Sequence, residues 1–358
     1  MSALIEKLLK NSTIKETALI NESKVYGKKD IIQTDIPMLN VALSGSLDGG
    51  LTAGLLCVSG PSKHFKSAFA LVMAAAYQRK YPDGIVLFYD SEFGSPPEYF
   101  ANFGLDMDRV VHTPVVNIEK LKFDITKQLN ELKRGDNVCI VVDSIGNLAS
   151  VKEADDALDG KSVADMSRAK QLKSVFRIAT PHLSLKNIPM IIINHVYMEQ
   201  GMYPRAIISG GTGLYYSSND IWIVGRQQEK EGAEVSGYNF VINIEKSRYV
   251  KEKSKIPINV TFKGGINKNS GLFDLALASG FIVKPKMGWY NKVDQETGEI
   301  SQKSYRQGDL VRDKEYWKEV LDHPKFKSFV EDKYKLKAPV VSDDEIPDDM
   351  EDELDADD

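Results

Sequence analysis

The chain has 358 residues, 42% of them hydrophobic and 27% charged, with a net charge of −5. That is the balance of a globular protein with room for one large domain or two modest ones, not of a fibrous or disulfide-stapled one. No apolar run approaches the roughly 18 residues of a membrane span, and charges stand where a signal peptide needs its apolar core, so a cytoplasmic protein with no membrane partner is expected.

The charge is unevenly spread. Residues 343–358 hold eleven Asp or Glu and no Lys or Arg, so removing that −11 from −5 leaves a body of +6. A mildly basic body with an acidic tail fits polyanion binding with a tail that competes for the same surface, and fits equally a tail that only aids solubility. Cys57 and Cys139 sit in apolar strand-like runs as small buried hydrophobes, and the five histidines show no metal-ligand spacing.

Residues 1–20 place Leu4, Ile5, Leu8 and Leu9 at helical spacing on a polar segment. A helix this short needs a surface to pack on, its own body or a neighbouring subunit. From 32 to 50 the pattern reads strand, helix over 36–43 and glycine-rich turn. Strands over 55–59, 85–90, 110–111, 138–143 and 189–194 then alternate with helices over 66–80, 96–103, 117–134 and 163–180. Asn117 is the N-cap of the third helix and Gly135 its stop. This rhythm predicts an α/β fold with a mostly parallel central sheet flanked by helices. Two loops, 149–162 with mixed charge and 197–213 with glycines, are longer than connecting loops usually are and so read as functional. Segments 220–225, 238–246 and 256–262 suit antiparallel edge strands. A small module over 272–336 follows, with a helix over 272–279, a hairpin at Gly288-Trp289-Tyr290 and helices over 313–322 and 325–335.

The chemistry concentrates at the carboxyl ends of the parallel strands. Strand 55–59 runs into Gly60-Pro61-Ser62-Lys63-His64-Phe65-Lys66-Ser67 and an Ala-rich helix, the strand–loop–helix context of a phosphate loop. The usual pattern is G-x-x-x-x-G-K-[ST], and Phe65 stands where the second glycine belongs. Ordinary backbone angles are expected at Phe65, with its ring pointing away from the phosphates. An NTPase also needs a carboxylate near Mg²⁺ and one to orient water. Strand 138–143 ends in Asp143 and strand 85–90 leads to Glu92, so Lys66, Glu92 and Asp143 should converge beyond the strand ends.

The chain resembles the RecA family of recombinases, most closely its T4-like bacteriophage members. The likeness rests on Ile36-Pro37-Met38-Leu39-Asn40-Val41-Ala42-Leu43, the phosphate loop with its Phe65, Phe88-Tyr89-Asp90-Ser91-Glu92 and Val141-Val142-Asp143-Ser144. It continues through Ile193-Asn194-His195, Gly210-Gly211-Thr212-Gly213 and Gly288-Trp289-Tyr290, spanning about 30–335. The resemblance implies that Lys66 binds the β- and γ-phosphates, that Ser67 ligates Mg²⁺ with Asp143 in support, and that Glu92 polarises the hydrolytic water. Tyr99 falls where the family stacks an aromatic ring on adenine, although a helix tyrosine also simply packs on a core. His195 stands where bacterial members carry a glutamine that senses the γ-phosphate; a structural histidine fits there too. Lys246 and Arg248 match basic residues that reach the nucleotide of a neighbouring subunit, where the residues alone would read as a solvated basic face.

The two long loops match the family's DNA-binding loops. Their candidate DNA contacts are Lys152, Lys161, Arg168, Tyr203 and Arg205, with the backbone amides of Gly210, Gly211 and Gly213 as phosphate ligands. The implied division is an N-terminal oligomerisation segment over 1–30, a RecA-like ATPase core over 31–271, a C-terminal module over 272–336 and an acidic disordered tail over 337–358. The implied function is ATP-dependent DNA strand exchange, for recombination, repair and recombination-dependent replication. It would run in helical filaments on single-stranded DNA, with ATP and Mg²⁺ as cofactors. Partners would be single-stranded and homologous duplex DNA, further copies of the chain, and single-strand-binding and loading proteins, in the host cytoplasm if phage-encoded. A hexameric helicase or related ring ATPase on the same core is the alternative, and a non-catalytic nucleotide-binding assembly protein is the third reading, against which Glu92 argues.

Overall fold

A computed structural model describes residues 2–23, 25, 30–160, 167–199, 206–232 and 234–337. The candidate DNA contacts Lys161, Tyr203 and Arg205 and the acidic tail beyond Lys337 lie outside the described residues.

The chain opens with helix α1 (Ala3–Asn11) and reaches α2 (Pro37–Ser44), started by Pro37 and closed by Gly45 in the left-handed conformation. Then come β1 (Gly54–Ser59), α3 (Lys66–Lys80), β2 (Ile85–Asp90), α4 (Pro97–Asn102) and β3 (Val110–Pro114). Helix α5 (Ile118–Glu131) begins at Asn117, whose side chain accepts the Lys120 N–H as expected of a cap. It ends at Glu131, short of Gly135. Strand β4 (Val138–Asp143), helices α6 (Val151–Leu158) and α7 (Ser167–Lys186) and strand β5 (Pro189–Asn194) complete the alternating part.

Beyond β5 lie β6 (Val196–Met198), β7 (Ala206–Ile208), α8 (Thr212–Ser217), β8 (Asp220–Glu231), β9 (Glu234–Lys246), β10 (Lys255–Thr261) and β11 (Gly265–Ile266). The terminal module holds α9 (Leu272–Ala278), β12 (Ile282–Lys286), β13 (Trp289–Lys292), α10 (Gln307–Arg312), α11 (Lys314–Asp322) and α12 (Pro324–Tyr334).

Nine strands form one sheet in the order β11-β10-β9-β8-β1-β5-β4-β2-β3. The six from β3 to β8 run parallel, and β9, β10 and β11 add antiparallel, so the expected architecture is present. Every residue of β1, β4 and β5 is buried, which is why these strands read as unbroken apolar runs. Alternate residues of β1 feed two cores: Leu56 and Val58 pack with α2 and α3 on one face, Leu55 and Cys57 with α5 and α7 on the other. The first core continues without a break into the terminal module through Leu272, Trp317 and Phe326. Among the described residues no helix is long and apolar enough to cross a membrane.

Three expectations need correction. The segment over 149–162 is not all loop, because Ser150 caps α6 by accepting the Glu153 N–H. Its mixed charge hid an i,i+4 ion pair, Lys152 to Asp156. The segment over 197–213 is in part a hairpin, with Val196 opposite Ile208 and Met198 opposite Ala206. The helix expected over 163–180 runs on through Pro181 to Lys186. A proline removes one helical hydrogen bond but does not stop a helix held by packing, and here Phe176, Ala179 and Leu183 on both sides of it are buried.

Candidate nucleotide site

Strand β1 lies between β5 and β8, so the loop at its carboxyl end opens at the middle of the sheet. Lys63 and Phe65 both take left-handed angles, φ 61° in each. Such residues turn successive backbone N–H groups to one side and form a concave anion cradle. The expectation of ordinary angles at Phe65 is therefore wrong. The expectation for its ring holds: half-buried, it stacks on Phe240 at 4.9 Å and meets Phe69 edge-on at 5.4 Å, packed against the sheet–helix core rather than on the phosphates. Gly60 is required for space, since a Cβ there would meet the Val224 carbonyl oxygen at 2.9 Å. Arg226 on β8 braces the loop from outside, donating to the Lys63 carbonyl at 3.1 Å.

The loop, with Glu92, Tyr99, Ile193 and His195, lines a cleft of about 240 Å³. A larger cleft of about 1070 Å³ lies along β8–β11 and the terminal module, and none of the phosphate-loop residues lines it. Lys66 is buried, and its Nζ donates to the Pro61 carbonyl at 2.7 Å. Burial pushes this ammonium below its ordinary range, while Glu92 and Asp143 pull the other way. Asp143 is 4% exposed. Burial raises its carboxyl to about 6, the Ser67 hydroxyl that donates to it opposes the rise, and Glu92 and Asp90 add to it. Its Oδ1 has no hydrogen-bond partner among the described residues. An orphaned, desolvated carboxylate oxygen beside a serine hydroxyl is a donor set suited to a hard divalent cation, so Ser67 and Asp143 fit the expected Mg²⁺.

Glu92 is held from two sides. Its backbone N–H and that of Phe93 donate to Asp90 Oδ1, each at 2.9 Å. Asp90 is itself buried and meets His112 Nε2 at 3.1 Å. At the other end, Glu92 Oε1 receives the Asn147 side-chain amide at 3.2 Å and lies 3.4 Å from His195 Nε2. The His195 contact, chiefly, keeps the carboxyl below its ordinary range. His195 also approaches Ser144 Oγ at 3.5 Å and leans on Gly146, where any Cβ would sit 2.3 Å from its ring. From His195 the chain enters the β6–β7 hairpin, and Asn194 locks the base by donating to the Ser209 carbonyl at 2.6 Å.

Tyr99 on α4 lines the cleft and also packs edge-on against Phe103 at 5.1 Å. Lys246 and Arg248 are not brought to this site. Lys246 pairs with Ile221 near the start of β8, and the chain then runs toward the amino ends of the parallel strands. Its Nζ donates to the Tyr215 carbonyl at 2.7 Å, and burial followed by Arg248 pushes it below its ordinary range. Of the candidate DNA contacts, Lys152 is ion-paired within α6. Arg168 donates to the carbonyls of Leu148, Ile145 and Gly146 at 2.9, 3.0 and 3.0 Å and to Ser209 Oγ at 3.4 Å. Gly213 is a packing residue, since a Cβ there would meet the Lys173 Cα at 2.9 Å. Gly210 and Gly211, φ 101° and 74°, make the turn into α8.

Sequence reasoning missed Asp90, Asn147 and Arg226. Asp90 stood at a strand end beside Glu92 and was legible there. The other two carry no local signal, because their partners are 55 and 163 residues away.

Comparison with known proteins agrees with this geometry. Residues 5–267 match the RecA N-terminal domain, and residues 269–330 match the C-terminal domain of the recombination and repair protein of bacteriophage T4. The chain is 49% identical over 342 residues to the recombination and repair protein of Enterobacteria phage T4, covering 94% of this chain and 87% of that protein. It is 26% identical over 340 residues to Protein RecA of Ruminococcus albus, covering 90% and 80%. A Protein RecA from Rhizobium etli is likewise 26% identical, over 312 residues, with 82% and 83% covered. With a phosphate loop at the centre of its sheet, two acids at neighbouring strand ends and both of its folded parts matched, the chain belongs to the RecA family.

Proposed function

We propose that this chain is an ATP-dependent DNA strand-exchange recombinase that polymerises on single-stranded DNA. The observation that carries the reading is the convergence of Lys66 and Glu92 on one cleft, with Asp143 beside Lys66 and with a far wall, His195, that immediately precedes the β6–β7 hairpin. Nucleotide state and hairpin position are thus joined by one residue. The cradle and Lys66 bind the phosphates, and Ser67 and Asp143 would hold a divalent cation, which would neutralise the charge on the transferred phosphoryl group. Glu92 lies on the open side of the cleft, where it can orient water against the γ-phosphate.

Lys246 and Arg248 project from the other end of β9, so they serve the nucleotide of an adjacent subunit, like an arginine finger supplied in trans. Hydrolysis then depends on assembly. Helix α1 has no buried residue, and Leu4 and Leu8 are 63% and 62% exposed, which suits a segment that packs on a neighbour. The hairpin and the α6 region face single-stranded DNA, with Gly210 and Gly211 as backbone phosphate ligands.

The test is ATPase with and without single-stranded DNA, strand exchange on homologous duplex, and electron microscopy with a slowly hydrolysed ATP analogue. DNA-stimulated turnover, exchanged strands and helical filaments are expected. Closed rings that unwind a fork without exchanging strands would instead make the chain a helicase.

A further inference from the structure

We propose that Asn147 is a positioning residue for Glu92, holding the carboxylate in place while Arg168 holds the loop that carries it. The inference rests on the ATPase reading above and names a residue for which that reading has no role.

Glu92 needs outside support. It sits on a loop, its side chain is 37% exposed, and a glutamate has several rotatable bonds to be fixed before it can aim at a water. Asp90 fixes its backbone through two N–H groups but leaves the side chain free to swing. Three groups hold the head: the Asn147 amide at 3.2 Å and His195 Nε2 at 3.4 Å both meet Oε1, and the Ser144 hydroxyl also bonds the carboxylate. These groups differ in kind. The Asn147 side-chain nitrogen can only donate, whereas a hydroxyl or an imidazole nitrogen can also accept. Asn147 is therefore the group whose bond to the carboxylate has a fixed direction.

The amide is useful only if its own loop is rigid, and the structure shows why it is. Ile145 and Leu148 on either side are buried, so Asn147 is the exposed apex of a turn pinned at both flanks. Three carbonyls of that turn, those of Ile145, Gly146 and Leu148, accept from the single Arg168 guanidinium. Ser91, next to Glu92, donates to the Ser144 carbonyl at 2.7 Å and accepts its N–H at 3.0 Å, so the two loops are stitched to each other. The fourth Arg168 contact, Ser209 Oγ at 3.4 Å, lies at the base of the hairpin. Arg168 thereby ties the turn that aims Glu92 to the segment proposed to meet DNA.

The experiment measures steady-state ATPase at saturating single-stranded DNA for Asn147→Ala and Asn147→Asp, alone and combined with Glu92→Gln. A lost hydrogen bond to a charged group predicts a fall in kcat of about tenfold for Asn147→Ala, with KM for ATP within about twofold. The near-isosteric Asn147→Asp should fall at least as far, because it sets a second carboxylate against Glu92. In the Glu92→Gln background Asn147→Ala should change the residual rate by less than about twofold, because a residue that acts through Glu92 has nothing left to position. An unchanged kcat in Asn147→Ala overturns the proposal. So does an equal loss in both backgrounds, which marks a merely structural residue. If Glu92→Gln and Lys66→Ala themselves hydrolyse ATP at the wild-type rate, it is the ATPase reading that has failed.

Discussion

Phe65 and Asp143 show how single residues carry opposing demands. A non-glycine residue in the left-handed region costs about 1–2 kcal/mol. The stack of the Phe65 ring on Phe240 offsets this by removing apolar surface from water and adding an aromatic pair. Phe65→Gly should relieve the backbone and lose more in packing, a net destabilisation of about 1–2 kcal/mol in denaturant unfolding, with nucleotide affinity nearly unchanged. A stabilised variant would show that the ring is not what compensates. Asp143 is the reverse case, a charge the nucleotide-free fold penalises. Its folded carboxyl is raised to about 6 from 3.8, so the penalty is absent below about pH 4, grows as pH rises, and is complete above about pH 6. Asp143→Asn in the presence of a chelator should therefore unfold at a higher temperature than the parent at pH 7.5, by up to about 3 kcal/mol of added stability. The gain should vanish near pH 4, and hydrolysis should be lost. Lys66→Ala should abolish turnover at any pH, measured as phosphate release.

At the scale of elements, the sheet sets distances that single residues then exploit. Strands β2 and β4 are in register so that Asp90 lies opposite Asp143, which brings the loop with Glu92 beside the turn with Asn147. Strand β5 ends next to β1, with Ser59 opposite Asn194, which sets His195 across from the phosphate loop. The contact of α7 with α8 is closer still. Gly213→Ala would drive a methyl group against the Lys173 backbone, which cannot move without parting the helices. Overpacking of this kind costs about 1–3 kcal/mol. Thermal unfolding should show that loss, and DNA-stimulated ATPase should fall more than DNA-independent ATPase, because the hairpin and α8 are connected through Gly210 and Gly211. Equal loss of both activities would place the damage in the fold rather than in the link.

At the scale of the whole molecule, the proposed division of the site between copies is the consequence with the widest reach. Lys66 follows the carboxyl end of β1 and Arg248 follows Lys246 at the amino end of β8, so Lys66→Ala and Arg248→Ala subunits should each be inactive alone yet regain part of the ATPase when mixed. A mixture as inactive as its components would place Arg248 outside the site. DNA affinity should fall with salt at about −0.7 per phosphate contact in a log–log plot, with the contacts summed along the assembly.

What the sequence determined by itself is whatever is written locally. The apolar runs of β1, β4 and β5, the phosphate loop between strand and helix, the Asn117 cap and the acids at the ends of β2 and β4 all follow from neighbours along the chain, and they were legible because strand burial and helix capping are short-range effects. The tertiary structure alone decided the rest. Phe65 takes left-handed angles because Phe240, 175 positions on, stacks against its ring. Arg168 and Gly213 have packing duties because their partners come from other elements, and the first N–H of α6, that of Val151, donates to Glu119 on α5. Asn147 reaches Glu92 because parallel pairing closes a gap of 55 residues, and that register exists only once the sheet has formed.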